Sequence, residues 1–225
     1  MKSKSGVVSR ARVDLIRRGP SRVGAGSFID PTVTLGHPGK ADREALHSGN
    51  WSTLSPVKIG RGCTIRAGSV IYAGVSIGDS SQTGNGAVIR EGTAIGSGCL
   101  VGTGTIIEDG CTIGDRVRIQ SAVYIPTGTV VEDDVFIGPR ACLTNDKWMG
   151  RSGGALEPIT IRKHSRIGAN STILPGVEIG EDSIVGAGAV VTRNVARGTV
   201  VIGSPAHVLR HLKREEKAKR PRRKG

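Results

Sequence analysis

The sequence predicts an all-β chain folded as a parallel β-helix, a prism in which short strands wind around one apolar core. The first observation is a period of six: every sixth residue from position 59 to 143 is Ile, Val or Leu at fourteen of fifteen places, Thr83 being the exception. The second is a small or β-branched residue four places after each aliphatic one. In a β-strand, residues two apart point to the same side, so these two positions both face inward. Because the pattern starts again every six residues, each strand is short and ends at a corner.

The corners and the coil length follow from the same period. The residue three places after each aliphatic position is Gly in nine of fourteen repeats, which suits corners that need a positive φ. Three strands make one coil of 18 residues, and a fixed short period of this kind is typical of a β-helix. The ladder resumes from 161 to 191 and has an earlier piece from 23 to 35, giving 24 repeats, or about eight coils. At a strand spacing of about 4.8 Å, the prism is roughly 40 Å long.

One continuous core implies one domain, which we place at residues 23–203. Two polar segments, 36–56 and 144–160, break the period and are predicted to be loops that leave the prism. Loops of this length in a compact domain are often functional. Residues 1–22 form a basic segment, and residues 204–225 are predicted to contain a short helix over 207–214 and a basic tail.

Composition excludes several classes of function. The net charge is +13, but the two termini carry nearly all of it, so the prism is almost neutral. With 3% aromatic residues there is no stacking platform for bases, and we expect no nucleic-acid partner. No apolar run is long enough for a signal peptide or a membrane span, which predicts a soluble, cytoplasmic chain. Cys63, Cys99 and Cys111 occupy small inward positions and are expected to be reduced core residues.

The last part of the repeat region carries a resemblance. Residues 185–190 read VGAGAV, residues 192–195 read TRNV, and residues 203–206 read GSPA. With the repeats, these stretches resemble the hexapeptide-repeat acyltransferases, a family of left-handed parallel β-helices that use coenzyme A. The left-handed turn is implied by this resemblance alone. The resemblance also implies a homotrimer with active sites in the grooves between neighbouring prisms.

Three further stretches are similar to nucleotide-sugar N-acetyltransferases: residues 83–91 (TGNGAVIRE), 134–140 (DVFIGPR) and 143–146 (LTND). This similarity implies acetyl-CoA-dependent acetylation of the amino group on a nucleotide-linked amino-deoxy sugar. The partners implied are acetyl-CoA and a sugar nucleotide, and no metal is predicted.

Asn85 is the candidate catalytic residue. Many members of the family use a His as general base, whereas Asn cannot accept a proton at neutral pH and can only orient or hydrogen-bond. An amine acceptor tolerates the lack of a base better than a hydroxyl does, because part of it is already neutral and nucleophilic. Asn85 therefore favours N-acetylation.

Residues 18 apart stack in successive coils, so the residues that follow Asn85 at this spacing form a column of small side chains along one corner. In the family, coenzyme A lies along such a corner. The resemblance implies that the cofactor-binding residues are in this column, in the adjoining glycines and in two arginines near the carboxy end that could contact phosphates. These residues are Thr103, Ser121, Gly138, Ala169, Gly186, Ala187, Arg193 and Arg197.

A second column contains Glu91, Asp109, Thr127 and Asn145. Its acidic groups could bind a substrate ammonium or sugar hydroxyls. Asn145 and Asp146 lie where the second loop begins, and in the family this loop reaches a neighbouring subunit's site. Glu91, Asn145 and Asp146 are therefore the candidate substrate-binding residues.

Two other functions stay open. An O-acetyltransferase would need a His base, for which His37, His47 and His164 are the candidates. A non-catalytic β-helix scaffold would bind no coenzyme A. Trp51 and Trp148, one in each loop, could either stack on a ligand or anchor the loops.

Overall fold

The computed structural model describes residues 19–151 and 154–216. Its strands form the three walls of a triangular prism, and each wall is a β-sheet whose strands are parallel, apart from the last strand of the second wall. Up to the twenty-fourth strand, successive strands alternate among the walls, so a strand pairs with the strand three places later in the chain; the last two strands then extend the second wall. Wall 1 contains β1 (Ser21–Val23), β4 (Val57–Ile59), β7 (Ser76–Ile77), β10 (Ala94–Ile95), β13 (Thr112–Ile113), β16 (Val130–Val131), β19 (Thr160–Ile161) and β22 (Glu178–Ile179).

Wall 2 has ten strands: β2 (Phe28–Ile29), β5 (Thr64–Ile65), β8 (Gln82–Thr83), β11 (Leu100–Val101), β14 (Arg118–Ile119), β17 (Phe136–Ile137), β20 (Arg166–Ile167), β23 (Ile184–Val185), β25 (Thr199–Ile202) and β26 (His207–His211). Wall 3 contains β3 (Thr34–His37), β6 (Val70–Tyr72), β9 (Val88–Ile89), β12 (Ile106–Ile107), β15 (Tyr124–Ile125), β18 (Cys142–Leu143), β21 (Thr172–Ile173) and β24 (Val190–Val191).

The predicted core is confirmed. All fifteen ladder residues from 59 to 143 are buried, as are the small residues four places after them. Thr83, the polar exception, is satisfied because its Oγ1 accepts the Arg66 N–H at 3.0 Å. Val23 is 44% exposed because it lies in the first coil of the described chain, at one end of the prism.

The corners have the conformation that the glycines predict. All nine corner glycines have positive φ, and so do the five other residues at the same position, Ser80, Arg116, Ala122, Asp134 and Arg140. We name the corners by the walls they join: the first corner joins wall 1 to wall 2, the second joins wall 2 to wall 3, and the third joins wall 3 to wall 1.

Both predicted loops leave wall 3 toward the third corner. The first follows β3 and includes α1 (Arg43–Ser48), and the second follows β18. The first loop is fixed to the prism by backbone hydrogen bonds, from the Ala73 N–H to the His37 carbonyl and from the Gly74 N–H to the Ser55 carbonyl, both 2.9 Å.

The predicted helix over 207–214 is wrong. Residues 207–211 form β26, which pairs antiparallel with β25, and a single 3₁₀ turn follows at Arg214–Glu216. The last coil leaves the edge of β25 unpaired, and a returning strand satisfies those backbone groups where a helix would not. The basic residues of 1–18 and 217–225 lie outside the described residues. Within the described chain no helix has the length and apolar character needed to span a membrane.

Candidate functional site

The column predicted beside Asn85 exists at the second corner. Each coil donates a backbone N–H to the column residue of the preceding coil: Gly104 to Asn85 at 2.9 Å and Ala122 to Thr103 at 2.9 Å. The column continues in register after the second loop, as shown by the Asn170 N–H, which donates to the Pro139 carbonyl at 3.0 Å. The column is largely exposed and consists of Asn85, Thr103, Ser121, Pro139, Ala169 and Ala187.

The glycines beside this column have a structural explanation. A Cβ on Gly138 would lie 2.6 Å from the backbone N of Ala169, and one on Gly186 would lie 2.7 Å from the Cγ2 of Ile202. Both distances are far below van der Waals contact. The space at these glycines is therefore filled by the next layer of the prism, and Gly138 is itself buried.

The two arginines predicted for the cofactor do not lie in the column. Arg193 follows β24 of wall 3 and is at the third corner. Arg197 precedes β25 at the first corner, where its guanidinium lies 3.6 Å from Glu181 and 4.0 Å from Asp182. The structure thus distributes the predicted cofactor residues over all three corners.

The second predicted column forms the third corner. The Gly110 N–H donates to the Glu91 carbonyl at 3.0 Å, and the Gly128 N–H donates to the Asp109 carbonyl at 3.0 Å. Asn145 joins the column because its Nδ2 donates to the Thr127 carbonyl at 3.2 Å. Asn85 and Glu91 therefore lie on the two opposite edges of wall 3.

Glu91 and Asp146 are both held by protein groups. The Glu91 carboxylate accepts two hydrogen bonds from Arg90, at 2.9 and 3.0 Å, and one from the Lys40 N–H at 2.9 Å. Partial burial opposes ionisation, yet the Arg90 and Lys40 hydrogen bonds hold the pKa of Glu91 below its usual value. Asp146 accepts the N–H groups of Trp148 and Gly150 at 2.9 and 2.7 Å, which closes a turn at the start of the second loop.

An aromatic cluster at the root of the first loop joins the candidate base His37 to Trp51 and Tyr72, an association that the sequence did not predict. The His37 ring lies 4.6 Å from the Tyr72 ring and 5.4 Å from the Trp51 ring. His37 Nδ1 lies 2.9 Å from the Pro38 carbonyl oxygen. Because a carbonyl can only accept, Nδ1 carries the proton in this contact, and in the neutral ring the Nε2 lone pair is available to accept one.

Trp51 anchors the first loop. Its side chain is buried against His37, and its Nε1–H, also buried, has no hydrogen-bond partner among the described residues. Trp148 of the second loop is 54% exposed. The sequence does carry a signal for the contact of Tyr72 with Arg90: the two residues are 18 apart, at the same corner position of wall 3, and Arg90 lies over the Tyr72 ring at 5.2 Å.

His164 belongs to a charged cluster at the first corner. Its Nε2 lies 3.7 Å from Asp134 and its Nδ1 lies 3.5 Å from Asp182. His164, Glu181 and Asp182 bring potential metal-ligand atoms within 4.8 Å of one another. Lys163 and Arg197 already face Glu181, at 3.8 and 3.6 Å, so local cations accompany these carboxylates.

Surface pockets lie along wall 1. One of them, about 710 Å³, is lined by Arg162, Lys163, Glu181 and Arg197 among others, and a second of about 540 Å³ is at the opposite end, near Arg22. The third lies between them. None of the three includes Asn85 or His37. In the single chain the second-corner edge of wall 3 is largely exposed, whereas the third-corner edge is half-buried where the loops lie against it.

Comparison with known proteins gives relatives of one kind. The family model described as "Bacterial transferase hexapeptide (six repeats)" matches residues 56–91, 92–127 and 158–193. The 2,3,4,5-tetrahydropyridine-2,6-dicarboxylate N-acetyltransferase of Staphylococcus aureus is 44% identical over 63 residues, which are 28% of this chain and 26% of that relative. This chain covers only about a quarter of the length of the curated relatives it matches.

Solved structures show the same likeness. The BC4754 gene product of Bacillus cereus, provisionally named as an acetyltransferase, is 28% identical with a TM-score of 0.53, covering 63% of this chain and 80% of that one. A hexapeptide-repeat-containing acetyltransferase of Vibrio cholerae, VCA0836, in complex with acetyl coenzyme A, is 30% identical with a TM-score of 0.42, covering 52% of this chain and 72% of that one. In its three-walled helix of six-residue repeats and in the stretches that the family model matches, this chain is similar to the hexapeptide-repeat transferases.

Proposed function

We propose that this chain is an acetyl-CoA-dependent acetyltransferase that acetylates the amino group of a nucleotide-linked amino-deoxy sugar. The observation that carries the proposal is the exposed column of small residues beside Asn85, which continues without a break in phase to Ala187. An extended pantetheine arm fits such a strip. The names of the family and of the relatives, which include an N-acetyltransferase and a protein bound to acetyl coenzyme A, support the same donor.

The site would be completed by a second copy of the chain in a homotrimer. The outward face of wall 3 is mainly apolar, whereas the matching face of wall 1 is mostly polar. The outward residues of wall 3 are Thr34, Val70, Val88, Ile106, Tyr124, Cys142, Thr172 and Val190, and those of wall 1 are Arg22, Lys58, Ser76, Ala94, Thr112, Val130, Thr160 and Glu178.

Three copies with wall 3 toward a three-fold axis form a closed ring, in which the second corner of one copy lies beside the third corner of the next. The Asn85 column of one subunit then faces the loops of its neighbour. This arrangement explains why the two predicted columns are on opposite edges of one wall.

In the proposed reaction the acceptor amine attacks the thioester carbonyl of acetyl-CoA. The N–C bond forms while the carbonyl π electrons move to oxygen, and backbone N–H groups of the corner stabilise that oxyanion. Collapse breaks the C–S bond, coenzyme A leaves as a thiolate, and the ammonium proton passes to the thiolate or to solvent. Asn85 orients the acceptor, and proximity accounts for most of the rate gain.

Calorimetry with acetyl-CoA tests the donor and the column together. We expect saturable binding near one site per chain, which Ser121→Trp abolishes because the indole blocks the column. Ser97→Trp, the same change at the equivalent exposed position of the first corner, is the control and should bind normally. If the wild-type chain binds no acetyl-CoA, the proposal is wrong and the scaffold function is favoured.

A hydroxyl acceptor is the second candidate, and one observation favours it. The contact of His37 Nδ1 with the Pro38 carbonyl favours the tautomer whose Nε2 can accept a proton, and His37 lies at the root of the loop that would face the neighbouring subunit's Asn85 column. A positioned base of this kind contributes about 10²- to 10⁴-fold to the rate. O-acetylation of a sugar would need such a base, whereas an amine can do without one.

Two variants separate the candidates. With a hydroxyl probe, methyl β-galactoside, His37→Asn should lower acetylation by about 100-fold or more. With an amine probe, dTDP-4-amino-4,6-dideoxyglucose, Asn85→Ala should be the more damaging change. Full activity of Asn85→Ala on a confirmed amine substrate would exclude the proposed role of Asn85.

A further inference from the structure

Arg90 contacts two groups near His37: the Tyr72 ring, which packs on His37, and the Glu91 carboxylate, which binds the loop three residues after His37. It lies on wall 3, directly after β9, with its side chain partly buried. One contact runs through the Tyr72 ring and the other through the Glu91 carboxylate. His37 itself is beyond these two groups, at the end of β3.

The first route is a stack of rings. The Arg90 guanidinium carbon lies 5.2 Å from the centre of the Tyr72 ring, within the range of a cation–π contact. The Tyr72 ring in turn lies 4.6 Å from the His37 ring at an interplanar angle of 48°. A guanidinium over Tyr72 restricts that ring, and the ring supports one side of His37.

The second route runs through the loop backbone. Nε and Nη2 of Arg90 donate to the two oxygens of Glu91, at 3.0 and 2.9 Å, and Nη1 donates to Glu108 at 3.1 Å. This bidentate contact fixes the Glu91 carboxylate, which also accepts a hydrogen bond from the N–H of Lys40, three residues after His37. The loop passes so close that a Cβ on Gly39 would lie 2.8 Å from the Glu91 side chain.

We propose that Arg90 is a positioning residue for His37, acting through Tyr72 and Glu91 to fix the ring with Nε2 toward the acceptor. The proposal rests on the role of His37 as a base that is given above as the second candidate function. Glu91 is then a loop anchor and not a substrate ligand. Loss of the Arg90 side chain frees the Tyr72 ring and removes the guanidinium that holds the Glu91 carboxylate, so His37 samples other orientations.

The first test observes His37 without any reaction. Nitrogen-15 imidazole spectra of the full chain should show His37 as the Nδ1–H tautomer, assigned with His37→Asn. In Arg90→Met we expect a mixture of tautomers, and in Arg90→Lys a partial return, because an ammonium keeps the charge but not the planar fork. Arg118→Met, the same change on the exposed face of wall 2, is the matched control and should match the wild type. An unchanged His37 spectrum in Arg90→Met overturns the proposal.

The second test measures acetyl transfer to methyl β-galactoside. Arg90→Met should lower kcat by about 10- to 100-fold with little change in the KM for acetyl-CoA, as expected when a reacting group is misplaced. Arg90→Lys should fall between Arg90→Met and the wild type. If His37→Asn is fully active, the base assignment fails and the catalytic role of Arg90 fails with it. If His37→Asn is inactive but Arg90→Met is not impaired, only the positioning role is refuted.

Discussion

At the residue scale, two kinds of glycine have different reasons to be present. Gly104 is at a corner with φ +64°, and a Cβ there would meet nothing within 4 Å. Gly138 has no positive φ, but the next coil passes so close that a Cβ would collide with the Ala169 backbone. One glycine is required by conformation and the other by packing.

Substitution by alanine should separate the two requirements. Gly104→Ala is expected to cost about 1 kcal/mol of unfolding free energy, because Ala122 already adopts φ +57° at the equivalent corner position. Gly138→Ala is expected to lower the unfolding free energy by at least about 2–3 kcal/mol, because the backbone of the next coil must move to accommodate the new Cβ. Chemical denaturation of the two variants measures the difference, and equal losses would contradict the packing argument.

The core cysteines predict a dependence of stability on pH. Burial raises the pKa of the Cys111 thiol to about 11, whereas an unfolded thiol ionises near pH 8.5. The unfolded state therefore releases its proton first, so the stability contribution is complete below about pH 8.5 and is lost as pH rises toward 11. Denaturation between pH 8 and 11 should show falling stability, with a shallower fall in Cys111→Ala. An identical slope in that variant would exclude Cys111 as a source.

At the element scale, the walls and corners could be predicted from the sequence because each position repeats its environment every six residues. The ladder from 59 to 143 and the corner glycines are such positions. β26 could not be predicted, since it occurs once and its five residues are exposed on both faces. Its conformation depends on the unpaired edge of β25, a tertiary feature without a local signal.

The site could be predicted only where it follows the period. The stacking of Asn85 and Thr103 follows from an 18-residue count, and the structure confirms it. The contact of His37 with Tyr72 joins residues inside and outside the repeat, and no spacing encodes it. Glu91 was assigned to substrate for its charge, while its partners in the structure come from the neighbouring residue and the loop.

The first loop should depend on Trp51. Its buried side chain packs on His37 and joins the loop to wall 3. Trp51→Ala is expected to lower the unfolding free energy by about 3 kcal/mol, in the range for loss of a buried aromatic side chain. Limited proteolysis should also become faster within residues 36–56. Trp148→Ala, at an exposed position of the second loop, should change neither property.

At the scale of the whole molecule, the apolar face of wall 3 predicts the assembly. Ile106 and Val130 are 37% and 38% exposed at matching positions of walls 3 and 1. Ile106→Glu should convert trimers into monomers, because three carboxylates would be buried near the axis, whereas Val130→Glu should leave the trimer intact. Sedimentation equilibrium measures both masses. A wild-type chain that sediments as a monomer would rule out the ring.

Mixed trimers test whether the site is shared between subunits. In a ring that pairs Asn85 of one copy with His37 of the next, randomly mixed Asn85→Ala and His37→Asn subunits leave about one quarter of the sites intact. On a substrate for which each variant alone is inactive, co-production of the two variants should therefore restore about a quarter of the activity. No restoration would place both residues in the same subunit's site.

Because both loops leave wall 3 at the same corner, the number of coils between them sets the distance between the loops. Five strand steps separate β3 from β18 on wall 3, so the two loop roots are about 24 Å apart along the prism axis. Removing or adding one coil of 18 residues would change that interval by about 4.8 Å and keep every side chain on its wall. The distance between the two loops is thus set in whole coils, and evolution can adjust it only in those increments.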